Sequence, residues 1–391
     1  MVTRHPTAYA VGMAPLSVAI VADVLRLEMG GVPRSVLAIT QELHRLDHDR
    51  IRVTVVASRR PACVDGLPFR RSFAPRIPKL PDSLFALQRP FTLRDFDVVH
   101  YMDSRPPLDF PLGPRLNVVT QHGFAALTFG PTLGAGRRYF YVNRILLKLA
   151  PYADLTFTAS ESERRELLQR ASIDPDRVIA VHHGVDHLRF QPRDQAAARE
   201  EVRRRFGVEG RYVLYVSNHQ RKKNTERLIE AFALVAKAIP DVSLVLTGWH
   251  TSRFQLVLDL IERLGLSSRV HVLGHVPDAS LPALYAGAAV FTLPSLHEGF
   301  GLPVLEAMAC ATPVLASNVY ALPEVCGQAA ELVDPYDVEA IAAGLRRILD
   351  DTERATELRE LGLMRAAQFT WERAAERHLE HYERALDLAH G

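Results

Sequence analysis

The residues best placed to do chemistry lie in one run, Pro294-Ser-Leu-His-Glu298-Gly-Phe-Gly-Leu-Pro-Val-Leu-Glu306. Two carboxylates flank a turn that holds two glycines and ends in a proline, and a helix-forming run follows. Gly299 and Gly301 let the backbone turn tightly and bring amide hydrogens close to a ligand. Pro303 suits the first turn of a helix, where a missing N–H costs nothing. The result is a helix start with free N–H groups at Gly299, Phe300, Gly301 and Leu302 and a positive dipole end, which is an anion site. Anion-binding amides between two hydroxyl-accepting carboxylates suit a sugar nucleotide. One carboxylate would hold the sugar, the amides the diphosphate and the other carboxylate the ribose.

Three further places carry chemistry. Arg221, Lys222 and Lys223 follow an apolar run ending near Asn218 and precede a helix from Thr225. Three cations at a helix start oppose the dipole, and they make sense if a diphosphate lies there. Gly30-Gly31 stands between a first apolar run and another helix, read as Arg34 to Leu46, where it permits backbone approach to a phosphate. His122 closes a run in Thr120-Gln121-His122-Gly123. The glycine pair lacks the Gly-x-Gly-x-x-Gly spacing, which argues against a dehydrogenase.

These positions need a scaffold. Short apolar, β-branched runs alternate with longer amphipathic segments along the chain, among them Val18–Ala22, Val53–Ala57, Val98–Tyr101, Val118–Thr120, Leu155–Ala159 and Val178–His182. Val213–Val216, Ser243–Thr247, Val270–Gly274, Val290–Leu293 and Val314–Ala316 form a second series. Continuous apolar runs with interleaved helices predict parallel sheets of the α/β class. The polar stretch Phe190–Gly210 separates the series. We therefore expect a first Rossmann-like domain over 1–190, a linker over 191–210, a second over 211–368 and a C-terminal helix over 369–391. Ligands would bind at the carboxyl ends of the strands, in a cleft between the domains.

The Glu298-to-Glu306 segment resembles the paired-glutamate signature of retaining glycosyltransferases of GT-B family 4, the glycosyl transferases group 1. The likeness extends from about residue 16 to 385 and is stronger in the second half. Lys223 matches the family's diphosphate lysine. Asn218 stands where many members have arginine, and Lys222-Lys223-Asn224 is similar to the run of mannosyltransferase-like members. Gly30-Gly31 looks like the N-terminal glycine loop, although Pro33 replaces a glutamate common there, which leaves the acceptor contact open. Thr158-Ala-Ser160-Glu161 and His183-Gly184-Val185-Asp186 resemble elements near the end of the first domain. Gly274-His275-Val276 resembles the segment whose backbone meets the nucleobase.

The resemblance implies a GT-B fold whose C-terminal helix crosses back to the first domain. It also implies transfer of a sugar from a nucleoside diphosphate with retention, with Glu298 and His122 acting at the sugar and Lys223 on the leaving diphosphate as the catalytic residues, and Glu306 on the ribose. A GDP-mannose-like donor is favoured. No cofactor or metal is expected, and the acceptor would be a glycan, a lipid-linked sugar or a small molecule. A GT-B sugar-nucleotide epimerase and a catalytically silent nucleotide-sugar-binding protein are the alternatives.

Composition agrees with a soluble α/β protein: 48% hydrophobic and 24% charged residues are ordinary for one. Cys63, Cys310 and Cys326 are scattered, which fits a reducing compartment and neither a disulfide framework nor a zinc site. The expected location is cytoplasmic. Net charge is +2, but residues 1–190 carry 25 Lys and Arg against 18 Asp and Glu, while the remainder carries 22 against 27. A basic front half, with the cation-aromatic run Arg137–Lys148, would suit an anionic acceptor or peripheral contact with the inner face of a membrane. Ordinary surface variation and a core helix with snorkelling cations would explain both features too. Nucleic acid is not an expected partner, since no recognition motif accompanies the near-balanced charge.

Overall fold

The computed structural model describes residues 14–26, 30–46, 48–71, 93–102, 116–125, 147–148, 150–249 and 254–390. Met29 and the stretch 137–146 lie outside the described residues. Thirteen described strands form two sheets. In the first, β1 (Leu16–Val21), β2 (Ile51–Ala57), β3 (Phe69–Arg71), β4 (Val98–Tyr101), β5 (Leu116–Gln121), β6 (Leu155–Thr158) and β7 (Val178–Ala180) run in the order 3-2-1-4-5-6-7. In the second, β8 (Arg211–Val216), β9 (Val242–Thr247), β10 (Val270–Gly274), β11 (Val290–Leu293), β12 (Val314–Ser317) and β13 (Glu331–Val333) run 10-9-8-11-12-13. The pairings within the second sheet are all parallel. Both sheets thus reverse their strand order beside their first strand, and the α/β class expected from the apolar runs holds.

The apolar runs become strands because both faces are covered. Val213, Leu214, Leu244, Val245, Leu246, Val290, Phe291, Val314 and Leu315 are fully buried. Each such side chain is worth about 1.5–3 kcal/mol relative to exposure. The short edge strands β3 and β13 escaped the sequence reading because Phe-Arg-Arg and Glu-Leu-Val carry too little apolar content to form a run.

Contacts divide the chain into two compact units, one of residues 1–120, 152–156 and 375–391 and the other of 121–151 and 157–374. In the first unit, α1 (Gly31–Arg45) begins at the second glycine and not at Arg34, with Gly30 as its cap. Pro33 therefore lies inside the first turn, where its absent N–H has no partner to lose. The same unit holds most of the last helix, and this is the crossing-back that the resemblance implied. In its buried half, Tyr382 Oη lies 2.6 Å from His100 Nδ1, and Arg50 donates to both oxygens of Glu383 at 2.9 and 3.0 Å.

In the second unit, α2 (Glu161–Arg170) starts at Ser160, whose Oγ accepts from the Glu163 N–H. The polar stretch read as a linker contains a twelve-residue helix, α3 (Gln195–Phe206). Asp194 caps it by accepting from Ala197 N at 2.7 Å, and Gly207 ends it in the left-handed region. Only Ala198 and Val202 are buried along α3, a stripe too narrow to register as an amphipathic run. The remaining helices are α4 (Thr225–Ala238), α5 (Phe254–Arg263), α6 (Leu281–Gly287), α7 (Leu302–Ala309), α8 (Leu322–Cys326), α9 (Val338–Asp350), α10 (Thr352–Ala366) and α11 (Trp371–His390). None of the described helices is long and apolar enough to cross a membrane.

Candidate functional site

The second sheet changes direction between β8 and β11, so the loops leaving their carboxyl ends open at the switch point. The loop after β8 carries Asn218 and a short 3-10 turn over Arg221–Lys223. Asn224 follows at φ 60° and begins α4. Its side-chain amide donates to the Pro294 and Pro335 carbonyls at 2.9 and 2.7 Å, tying the basic turn to the loop that leaves β11. The Leu296 N–H adds a bond to the Lys222 carbonyl at 2.7 Å.

That tie brings Glu298 to the cations. Lys223 Nζ donates to its two oxygens at 2.7 and 2.9 Å, and Ser295 Oγ donates at 2.7 Å. Burial works to raise the Glu298 pKa. Lys223, Lys222 and the two hydrogen bonds outweigh it and hold the carboxyl below its usual value. The Lys222 ammonium is driven down to about 8, first by desolvation and then by Lys223.

Beyond Glu298 the chain enters α7 through Gly301 at φ 112°, a conformation that a side chain would strain. Pro303 takes the second helical position. The N–H groups of Phe300, Gly301 and Leu302 meet no acceptor among the described residues. Glu306 is buried one turn further on, and Tyr285 Oη donates to its Oε2 at 2.8 Å.

The loop is also held by Ser160, named from the sequence only as part of a family likeness, and by Glu163, which sequence reasoning passed over. Ser160 Oγ donates to the Gly299 carbonyl at 2.8 Å. Glu163 Oε2 accepts from Ala159 N at 3.1 Å, while Oε1 fills the space beside two glycines. A Cβ on Gly299 would sit 2.0 Å from that oxygen and one on Gly123 would sit 2.7 Å from it. Glu163 therefore wedges between the turn that follows Glu298 and the turn that follows His122. Burial lifts its pKa to about 8, so it is predominantly a neutral acid at neutral pH. Glu161, named from the Ser-Glu likeness, has an exposed carboxylate 3.6 Å from Arg164. Glu324 on α8 accepts from the Glu161 and Ser162 N–H groups at 2.8 and 3.0 Å and lies 2.5 Å from His182 Nε2, so it caps α2 from outside. A Ser-Glu-Ser-Glu run reads as a solvated helix start, and nothing in its spacing marks the second acid as the buried one.

At the ends of β9 and β10, Gly248 N donates to the Gly274 carbonyl at 2.8 Å. The exposed Trp249 stacks on His275 with ring centroids 4.3 Å apart, and Val276 is buried beside them. Trp249 was not singled out from the sequence, since a lone aromatic after a strand has no spacing to mark it. Gly30 and Gly31 stand at the start of α1 in the other unit. The second unit thus gathers Lys222, Lys223 and Glu298 by direct contact or charge, with Gly299 and the His122 turn joined through Glu163.

Residues 29–189 match the Glycosyltransferase Family 4 family and residues 198–363 match Glycosyl transferases group 1. The chain is 31% identical over 294 residues to the O-antigen chain mannosyltransferase B of Escherichia coli, covering 75% of this chain and 76% of that one. It is 33% identical over 255 residues to the serotype-specific mannosyltransferase WbdA of E. coli, covering 64% of this chain and 31% of WbdA. Among solved structures, Anabaena HepE in complex with UDP and glucose superposes with a TM-score of 0.76 at 19% identity, covering 94% of this chain and 99% of HepE.

Proposed function

Since this chain belongs to the glycosyl transferases of group 1 and family 4, we propose that it transfers a mannose-like sugar from a GDP-linked donor to a glycan, lipid-linked or small-molecule acceptor, with retention and without a metal. The observation that carries the reading is the Glu298 carboxylate, held ionised by Lys223 and Ser295 immediately before three open amides. The departing diphosphate develops negative charge. Lys222, Lys223 and the Phe300–Leu302 amides would stabilise it, and electrostatic stabilisation of that kind commonly contributes more to catalysis than any other effect.

Glu298 would accept sugar hydroxyls and support positive charge at the anomeric carbon. A diphosphate laid on the turn would share Lys223 with it. Glu306, with one oxygen fixed by Tyr285, would accept the ribose hydroxyls. Trp249 and His275 offer a ring surface for the base, and His122 would contact the sugar. With no separate nucleophile assigned, the leaving phosphate would take the acceptor's proton on the same face. The preference for mannose rests on the mannosyltransferase relatives and on the Lys222-Lys223-Asn224 run.

Thermal-shift titration against GDP-mannose and against UDP-, ADP- and dTDP-sugars tests the donor, because a ligand of the native state raises apparent stability with its concentration over Kd. Product analysis with the stabilising donor then reads the anomer formed. An inverted product, or turnover at the wild-type rate in Glu298→Ala, would overturn the reading.

A further inference from the structure

The second unit carries another concentration of positive charge at the opposite end of the same strands. Arg211 opens β8 and Ala289 immediately precedes β11, whereas the loops bearing Lys223 and Glu298 leave those strands at their far ends. The six residues of β8 span about 20 Å. At this amino-terminal edge lies a cavity of about 490 Å³ whose lining includes Arg199 of α3, Arg211 and Arg359 of α10.

Three guanidinium groups share this cavity with one acid, Asp350. Their existing bonds leave most of their donors unused. Arg199 Nε donates to the Gly287 carbonyl at 2.9 Å, and Arg211 donates to the Leu349 carbonyl and lies 3.5 Å from a largely exposed Asp241. Arg359 has no hydrogen bond or ion pair among the described residues. Thr352, the first residue of the fifteen-residue α10, lines the same space and brings the positive end of that helix to it. Desolvation depresses Arg199 and Arg359, and the charge of Arg199 depresses Arg359 further.

Asp350 and the exposed Asp241 answer only part of this charge, and like charges left in excess oppose folding, so a surface that needed only packing would gain little from them. Three guanidinium groups lining one cavity suit a phosphate, whose oxygens accept bidentate pairs. We propose that this cavity binds the phosphate group of a phosphorylated small molecule through Arg199, Arg211 and Arg359, at a site separate from the one that holds the donor. The proposal does not depend on the donor or on the transfer reaction.

Inorganic phosphate is the probe, titrated against the full chain in thermal unfolding at constant ionic strength set with chloride. Millimolar binding would raise the midpoint by about 2 °C at a tenfold excess over Kd. Arg359→Gln should abolish that rise and, at low salt without phosphate, raise the midpoint slightly, since it removes repulsion and breaks no bond. Lys223→Met should retain the rise, because it alters only the donor end. A phosphate response that persists in Arg359→Gln but disappears in Lys223→Met would place the anion at the donor end and overturn the proposal. So would the absence of any response above that of chloride.

Discussion

Both carboxylate oxygens of Glu298 accept from the Nζ of Lys223, at 2.7 and 2.9 Å, with the two side chains almost wholly out of solvent. The pair joins the loops that leave the two central strands of the second sheet. Lys223 helps hold the Glu298 carboxyl below its usual value; in the function proposed above, Glu298 would meet the sugar and Lys223 the diphosphate.

Removing one partner strands the other. Lys223→Met leaves a buried carboxylate without its main counter-charge, which costs about 3–5 kcal/mol for such pairs. Turnover should fall by about two to three orders of magnitude, as when a single electrostatic stabiliser is lost. Denaturant unfolding and initial rates with the donor check the two parts. The double variant Lys223→Met with Glu298→Gln should recover part of the stability and none of the activity.

Glu163 gives stability a pH dependence of definite sign. Its folded pKa of about 8 lies above the ordinary carboxyl value of 4.5, so between those values the native state holds a proton that the unfolded chain has released. The stabilisation is complete below about pH 4.5 and is lost as the pH climbs toward 8, at up to about 1.4 kcal/mol per unit. Glu163→Gln, which keeps the shape and cannot ionise, should lack that slope and overtake the wild type in stability as the pH rises. Parallel pH profiles for the two proteins in urea unfolding would contradict the assignment of a buried neutral acid.

Ser160 links the cap of α2 to the turn that follows Glu298, accepting from Glu163 N and donating to the Gly299 carbonyl. Ser160→Ala should cost about 1–2 kcal/mol, in the range of lost helix caps. Because the Gly299 carbonyl also loses its tether, kcat should fall by more than a cap lost elsewhere would cause. Asp194→Ala at the start of α3 serves as the comparison, with similar destabilisation and unchanged kcat.

Lys222 should make donor affinity depend on pH. With its ammonium pKa near 8, it is charged under neutral conditions and loses its proton in mild alkali. Donor KM should then rise severalfold between about pH 7 and about pH 9, one proton being linked to binding. Lys222→Arg retains a charge throughout and should flatten the profile while altering KM at neutral pH.

Trp249 and His275 stack with centroids 4.3 Å apart at the ends of adjacent strands. If that ring pair receives the base, Trp249→Ala should weaken donor binding by about 0.5–1.5 kcal/mol and leave kcat nearly unchanged. Calorimetric titration with the nucleoside diphosphate alone reads the effect.

The chain's own pattern determined a good deal. Continuous apolar runs such as Val213–Val216 and Val290–Leu293 fixed the parallel α/β class, because only strands covered on both faces can be apolar at every position. Spacing alone set Glu298, Gly299, Gly301 and Glu306 around one turn, since those residues are neighbours in the chain. Short polar elements resisted the same reading. α3 buries two small residues and looks like a linker, and β3 and β13 lack an apolar run. What folding alone decided were the pairings between distant segments. Asn224 bonds to the carbonyls of Pro294 and Pro335, Lys223 meets Glu298, and Glu163 slides between Gly123 and Gly299. Such contacts depend on which strand ends lie side by side and on which acid the core takes in. Local composition carries neither, because the energy of burying a carboxylate is set by neighbours that are far away in sequence.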